Sequence, residues 1–290
     1  MQWAELEDRI SEHSGQNFTI ERKQSVGGGC INQAYHISGQ GQDYFIKLNS
    51  ASALDMFAAE YEALHAIYQT ASIRVPQPIN FGVSGASAWL VMEYIALQGG
   101  SKSSRDMGTQ LAQMHRHLAS QFGWHRNNTI GSTPQINELT SSWVEFWREH
   151  RLGYQMKLAA DKGIGSSVVK LCERLSGRLE DFFSDDQPQA SLLHGDLWGG
   201  NAAFDSRGRP VIFDPASYYG DREADLAMTE LFGGFDADFY AAYHQSWPLD
   251  EGYKIRKLLY NQYHILNHFN LFGGSYGNQA ARMTEQLLAL

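Results

Sequence analysis

The chain has 290 residues, with 23 Lys and Arg against 32 Asp and Glu, for a formal charge of −9. It is 43% hydrophobic and 19% charged, the balance of a globular protein rather than a disordered or fibrous one. Split after Glu93, the first part carries 5 basic and 10 acidic residues and the remainder 18 and 22, so neither part has the basic face that nucleic-acid binding needs. A phosphate ligand would have to be held by local groups and not by the overall field.

Residues 1–13 have helical spacing, with Trp3, Leu6 and Ile10 on one face. Phe18 to Ser25 and Ile31 to Ile37 flank the cluster Gly27-Gly28-Gly29 and predict a β-hairpin with a glycine-rich turn; Tyr44 to Leu48 predicts a third strand. Apolar residues at Leu54, Phe57, Tyr61, Leu64 and Ile67 predict a helix that Val75-Pro76-Gln77-Pro78 breaks. Strands are expected near Ile79 and over Ala88 to Met92. After Glu93 comes a linker-like run, Gly99 to Ser104, and then mostly helical periodicity. Met107, Leu111, Met114 and Leu118 share one face, Trp143 to Leu152 begin another helix, and Val168 to Leu179 form a third. Ser191 to His194 and Pro210 to Phe213 read as short strands within this helical part. The expected fold is therefore α+β and two-lobed: a small antiparallel sheet lobe over 1–93 and a larger, mostly helical lobe over 94–290.

The chemistry concentrates in His194-Gly195-Asp196-Leu197-Trp198-Gly199-Gly200-Asn201. An Asp five residues before an Asn, in a loop after a strand, has the spacing of the kinase catalytic loop. Asp196 would accept the proton of a substrate hydroxyl, and Asn201 would reach a Mg²⁺ on the nucleotide phosphates. Eighteen residues beyond Asp196, at a strand end, Asp214 would be the second metal ligand; taken alone it reads equally as a turn or cap residue before Pro215. Lys47 lies in a predicted strand, where a lysine needs a partner, and Glu60 on the next helix is the natural one. Gly27, Gly28 and Gly29 would cover phosphates, although the cluster is neither GxGxxG nor a Walker A sequence. Glycine loop, strand Lys, helix Glu, HGD…N and strand-end Asp occur in kinase order. Asp214 is followed by Pro215-Ala216 in place of Phe-Gly, no A-P-E segment follows, and Gly195 stands where protein kinases have Arg. A small-molecule kinase of protein-kinase-like fold, using ATP and Mg²⁺, is the expectation.

The segments HGDLWGGN, IFDPASYYGDREADLA, FGGF and LNHFNLFGG, with MFAAEYEAL around Glu60, LVMEYI and TPQIN, resemble the fructosamine/ketosamine-3-kinase family, within the aminoglycoside-phosphotransferase and choline-kinase group. The resemblance implies transfer of the ATP γ-phosphate to O3 of a ketosamine, free or protein-bound, as a deglycation step. It also implies that the backbone of Glu93, Tyr94 and Ile95 forms the hinge that binds adenine. Gly199 stands where the family commonly has Ser, and Leu139 where it commonly has Trp. Rival readings are a kinase of the same fold acting on an aminoglycoside, choline or a simple sugar, and a pseudokinase serving as a binding or redox module.

Trp198 either stacks on a sugar face or packs its own loop. Cys30, within the glycine cluster, is either a thiol with lowered pKa whose oxidation, as an intermolecular disulfide, inhibits the enzyme, or a small residue that fits the turn. Cys172 is expected buried and inert. Asp225 is expected to be a structural acceptor for the catalytic loop, and Asp221 and Glu223 a solvated helix start. His264 and His268, four apart on a helix, are expected to pack and not to bind metal. The start of the chain lacks the basic flank and apolar core of a signal peptide, and no stretch reaches membrane-spanning length. A cytoplasmic monomer or weak dimer is expected, with no nucleic-acid or membrane partner.

Overall fold

The computed structural model describes residues 3–27, 32–98, 104–183 and 188–290. Gly28, Gly29, Cys30 and most of the linker-like run, for which expectations were given above, lie outside them. The chain divides into two compact units, one of Met1–Ser103 with Ala202–Pro215 and one of Ser104–Asn201 with Ala216–Leu290.

The first unit is built on a five-stranded antiparallel sheet of order β1-β2-β3-β5-β4, with β1 Arg22–Val26, β2 Gln33–Gly39, β3 Gln42–Ser50, β4 Pro78–Ser84 and β5 Ser87–Glu93. The period-2 alternation of β3 sorts its side chains. Tyr44, Ile46 and Leu48 join Ile37, Trp89 and Val91 in a core closed by Leu6, Ile10 and Phe18. Leu6 and Ile10 come from helix α1, Trp3–Ser14, whose apolar stripe is the one its sequence spacing predicts. Lys47, between Ile46 and Leu48, falls on the opposite face and pairs in register with Ala34 and Leu90. Helix α2, Leu54–Gln69, carries Glu60. A hairpin of Ala202–Asp205 and Pro210–Ile212 pairs with Leu97–Gln98 and completes the unit.

The second unit is mostly helical, as expected, with short strand pairs at Asn128–Ile130 with Thr133–Gln135 and at Ser191–Leu192 with Tyr219–Gly220. Its core is aromatic: Trp143, Phe146, Trp147, Tyr260 and Tyr263 are buried and in ring contact. Two expectations fail. The helix starting at Ser104 ends at His115, so Leu118 is not on its apolar face and is half exposed. Asp221 and Glu223 are buried and not solvated. Asp221 accepts a hydrogen bond from the Tyr260 hydroxyl, and Glu223 forms a two-pronged pair with Arg256 at 2.7 and 2.8 Å. Those partners lie more than thirty residues downstream, on helix Tyr253–Phe272, where local sequence reading could not find them. Cys172 is buried as expected, beside Thr284.

Candidate active site

In the first unit the Lys47 ammonium is the centre of a three-residue charge cluster. Its Nζ donates to Glu60 Oε1 at 2.6 Å and to Asp214 Oδ1 at 2.7 Å. Burial by itself would lower the lysine pKa, but Glu60 and then Asp214 outweigh it and hold the group above the usual lysine range. The cation is therefore permanent. Glu60 is nearly as buried as Lys47, whereas the Asp214 side chain is 47% exposed. Asp214 takes φ +58°, a left-handed conformation that Asp tolerates better than most residues. With Oδ1 on Lys47, its second carboxylate oxygen remains for a ligand.

The strand β5 ends at Glu93, and residues 94–96 form a short connection outside any helix or strand before Leu97–Gln98. The Tyr94 ring stacks on His36 of β2 with centroids 3.6 Å apart and planes 9° from parallel, and His36 Nε2 contacts Asp43 Oδ1 at 2.6 Å. Ile95 is buried and Gly27 exposed. The Glu93 carboxylate, which sequence reasoning left without a role, pairs with Arg74 at 2.6 Å.

In the second unit the catalytic-loop candidate is held from behind. Asp225 Oδ2 accepts from the His194 amide at 2.7 Å and Oδ1 from the Gly195 amide at 2.8 Å, the structural role expected of it. Burial would raise the Asp225 pKa, but hydrogen bonds from His115 and the Gly195 amide keep it below the usual carboxylate range. His115 sits 3.1 Å from Asp225 Oδ2 and, through Nδ1, 2.8 Å from the Tyr243 hydroxyl. Gly195 has φ +84°, and a Cβ there would lie 2.1 Å from the Ala216 carbonyl oxygen, which explains why the kinase Arg position is Gly in this chain. Asn201 closes the loop: its Nδ2 donates to the Asp196 carbonyl at 2.9 Å and approaches Asp196 Oδ2 at 3.3 Å, leaving Oδ1 as a hard oxygen. Trp198, 40% exposed, lies against Gly200, where a Cβ would meet its ring at 2.3 Å. Gly199 abuts Gly234: a Cβ on Gly199 would be 3.0 Å from the Gly234 Cα.

A buried cation not anticipated from sequence supports this region. Arg151 is fully buried with its guanidinium 3.9 Å from the Tyr218 ring centroid and 4.5 Å from that of Phe146. It donates to the Ile136 carbonyl at 2.6 Å and to Asn137 Oδ1 at 2.8 Å. The TPQIN segment is thereby fixed, and its Gln135 donates to the Ala216 carbonyl at 3.1 Å. His264 and His268 are linked through the His264 carbonyl and lie among aromatic rings, a packing role as expected. Among the described residues no group of three or more His, Cys, Asp or Glu is arranged to hold a metal by itself.

The fructosamine kinase family profile matches residues 2–290. The chain belongs to the fructosamine kinase family. It is 49% identical to a Synechocystis protein assigned as a ketoamine kinase, over 99% of this chain and 97% of that one. It is 41% identical to a chloroplastic protein-ribulosamine 3-kinase of Arabidopsis thaliana, over 98% and 89%. A solved structure from Haemophilus somnus assigned as a fructosamine-3-kinase superposes with a TM-score of 0.90 at 30% identity, covering 99% and 97%. A choline kinase of Streptococcus pneumoniae, at 18% identity and a TM-score of 0.59, shares the protein-kinase-like fold. The chain is thus a kinase of α+β, protein-kinase-like architecture. Among the described residues no helix is long and apolar enough to cross a membrane.

Proposed function

We propose that this fructosamine kinase family member transfers the γ-phosphate of ATP to a sugar hydroxyl, expected to be O3, of a free or protein-bound ketosamine, and so takes part in deglycation in the cytoplasm. The observation that carries the phosphoryl-transfer reading is the buried Lys47 ammonium gripped by Glu60 and Asp214 at 2.6 and 2.7 Å. That is the ion pair with which kinases aim a lysine at the α- and β-phosphates. Relatives named for ketoamine and ribulosamine substrates support the acceptor class.

In this reading Gly27, Gly28 and Gly29 cover the phosphates and the backbone of residues 93–95 receives adenine. Asp196 orients the acceptor hydroxyl and takes its proton, while Trp198 offers an apolar face to the sugar. Asn201 and Asp214 would hold Mg²⁺ by the chemistry of their donors. The Asn201 amide oxygen and the second Asp214 oxygen are hard donors of the kind Mg²⁺ takes, and phosphates and water would supply its remaining ligands. Bound there, the ion would neutralise phosphate charge. The protein's own contribution is positioning and a fixed cation, not covalent chemistry.

The test is ATP consumption with fructoselysine and ribuloselysine, against an aminoglycoside, choline and a simple sugar, with mass spectrometry locating the phosphate. Asp196→Asn should lower kcat by about 10²- to 10⁴-fold with unchanged thermal stability. Turnover confined to the other acceptors would overturn the ketosamine assignment, and near-normal turnover of Asp196→Asn would remove the role given to Asp196.

A further inference from the structure

Arg74 has no place in the reaction as described so far, yet it touches three parts of the first unit. Its Nη2 donates to Glu93 Oε1 at 2.6 Å, and its Nη1 donates to Asp205 Oδ2. Its own carbonyl accepts the Ile212 amide at 3.0 Å, two residues before Asp214. Both carboxylates are held by other groups as well. Glu93 receives the Gln77 amide at 3.3 Å, and Asp205 receives the amides of Arg207 and Arg209 at 2.9 Å and Arg209 Nε at 2.8 Å. Asp205 in turn pairs in register with Leu97.

Residues 94–96 are therefore bracketed. They begin at Glu93, on one prong of the guanidinium, and end at Leu97, whose strand partner sits on the other prong. A planar fork with fixed spacing is suited to holding two carboxylates at a set separation, which a lysine ammonium, a single point charge, cannot do.

We infer that Arg74 is a positioning residue for the nucleotide: it fixes the span between Glu93 and Leu97 so that the backbone of 93–95 presents its hydrogen-bonding groups to the adenine edge. The inference rests on the proposed function, in which that backbone reads adenine. It assigns base recognition to a side chain that need not touch the base.

The experiment compares wild type, Arg74→Lys and Arg74→Gln, each first shown to be folded by circular dichroism. Calorimetric titration with ADP on wild type comes first, because absence of binding there would sink the functional reading itself. Given binding, KM for ATP should rise about tenfold in both variants, the scale of one lost charged hydrogen bond, and the kcat/KM preference for ATP over GTP should fall by a similar factor. KM for the ketosamine should stay within about twofold, since the reasoning gives Arg74 no acceptor role. Lower thermal stability with unchanged ATP KM and base preference would make Arg74 a structural tie and overturn the inference. Failure of both variants to fold would do the same, and if only Arg74→Gln fails, Arg74→Lys carries the comparison.

Discussion

Replacing Lys47 with Met separates the ion pairing seen in the structure from the phosphate-positioning role proposed for this residue. Met keeps most of the aliphatic stem, so the packing between Ile46 and Leu48 should survive, but Glu60 and Asp214 lose their shared cation. Asp214, half exposed, can be resolvated; Glu60, 11% exposed, cannot. Stranding a buried charge by removing its partner costs about 3–5 kcal/mol. Glu60 has an escape, which is to take up a proton, because burial favours its neutral form. The sign follows: a carboxyl whose folded pKa lies above its unfolded value destabilises the fold as pH rises through the folded value. The stability difference between wild type and Lys47→Met should therefore be several kcal/mol at pH 8 and clearly smaller at pH 5. Urea unfolding at both pH values reads it, provided the slope of free energy against denaturant is unchanged. Turnover at pH 8 should fall about 10²-fold or more, as expected for a lost fixed donor to developing charge. An equal stability difference at both pH values, together with turnover above a tenth of wild type, would refute both the buried pair and its catalytic use.

Gly195→Ala places a methyl group 2.1 Å from the Ala216 carbonyl in a left-handed backbone; it should cost about 2 kcal/mol or more by thermal unfolding and suppress turnover through the displaced Asp196. His264 is buried with its pKa pushed down to about 3, so it stays neutral in the fold and protonates only in the unfolded chain. Stability should fall as pH drops through 6.5 toward 3, by about 2 kcal/mol at pH 5 from this residue alone, and His264→Gln should flatten that part of the curve in urea titrations. Arg256→Met strands the buried Glu223 carboxylate, and an unfolding free energy about 3 kcal/mol lower is expected at neutral pH, with Glu223→Gln partly restoring it in the double variant.

Much of the candidate site could be picked out from sequence because its parts have local signatures. Lys47 stood out as a charge inside an apolar strand, and the pleat then put it on the face opposite Leu6 and Ile10. Asp196 and Asn201 stood out by spacing, and Gly195 by replacing Arg. The supporting contacts had no such signature. Arg74 with Asp205 is a pairing over 131 residues, His115 with Asp225 over 110, and each member alone looks like an ordinary polar residue. Asp221 and Glu223 were misread for the same reason: acidic residues before a helix normally face water, and only Tyr260 and Arg256 from a distant helix make their burial tolerable.

The same contacts tie down a fourteen-residue stretch, Ala202–Pro215, that belongs to the first compact unit although the chain on either side of it belongs to the second. The chain leaves the second unit after Asn201, makes the hairpin of Ala202–Asp205 and Pro210–Ile212 in the first, and returns after Pro215. Asp196 and Asn201 are therefore fixed by Asp225 and by each other, whereas Asp214 is fixed by Lys47 and, through Ile212, by the Arg74 carbonyl. Asp196, proposed to activate the acceptor, and Asp214, proposed to hold the metal, thus have separate supports. Each can keep its own environment: one set by backbone and amide groups around a loop, the other by a permanent cation. The proposed mechanism uses that separation, since in it Asp196 takes the acceptor's proton while Asp214 holds an ion.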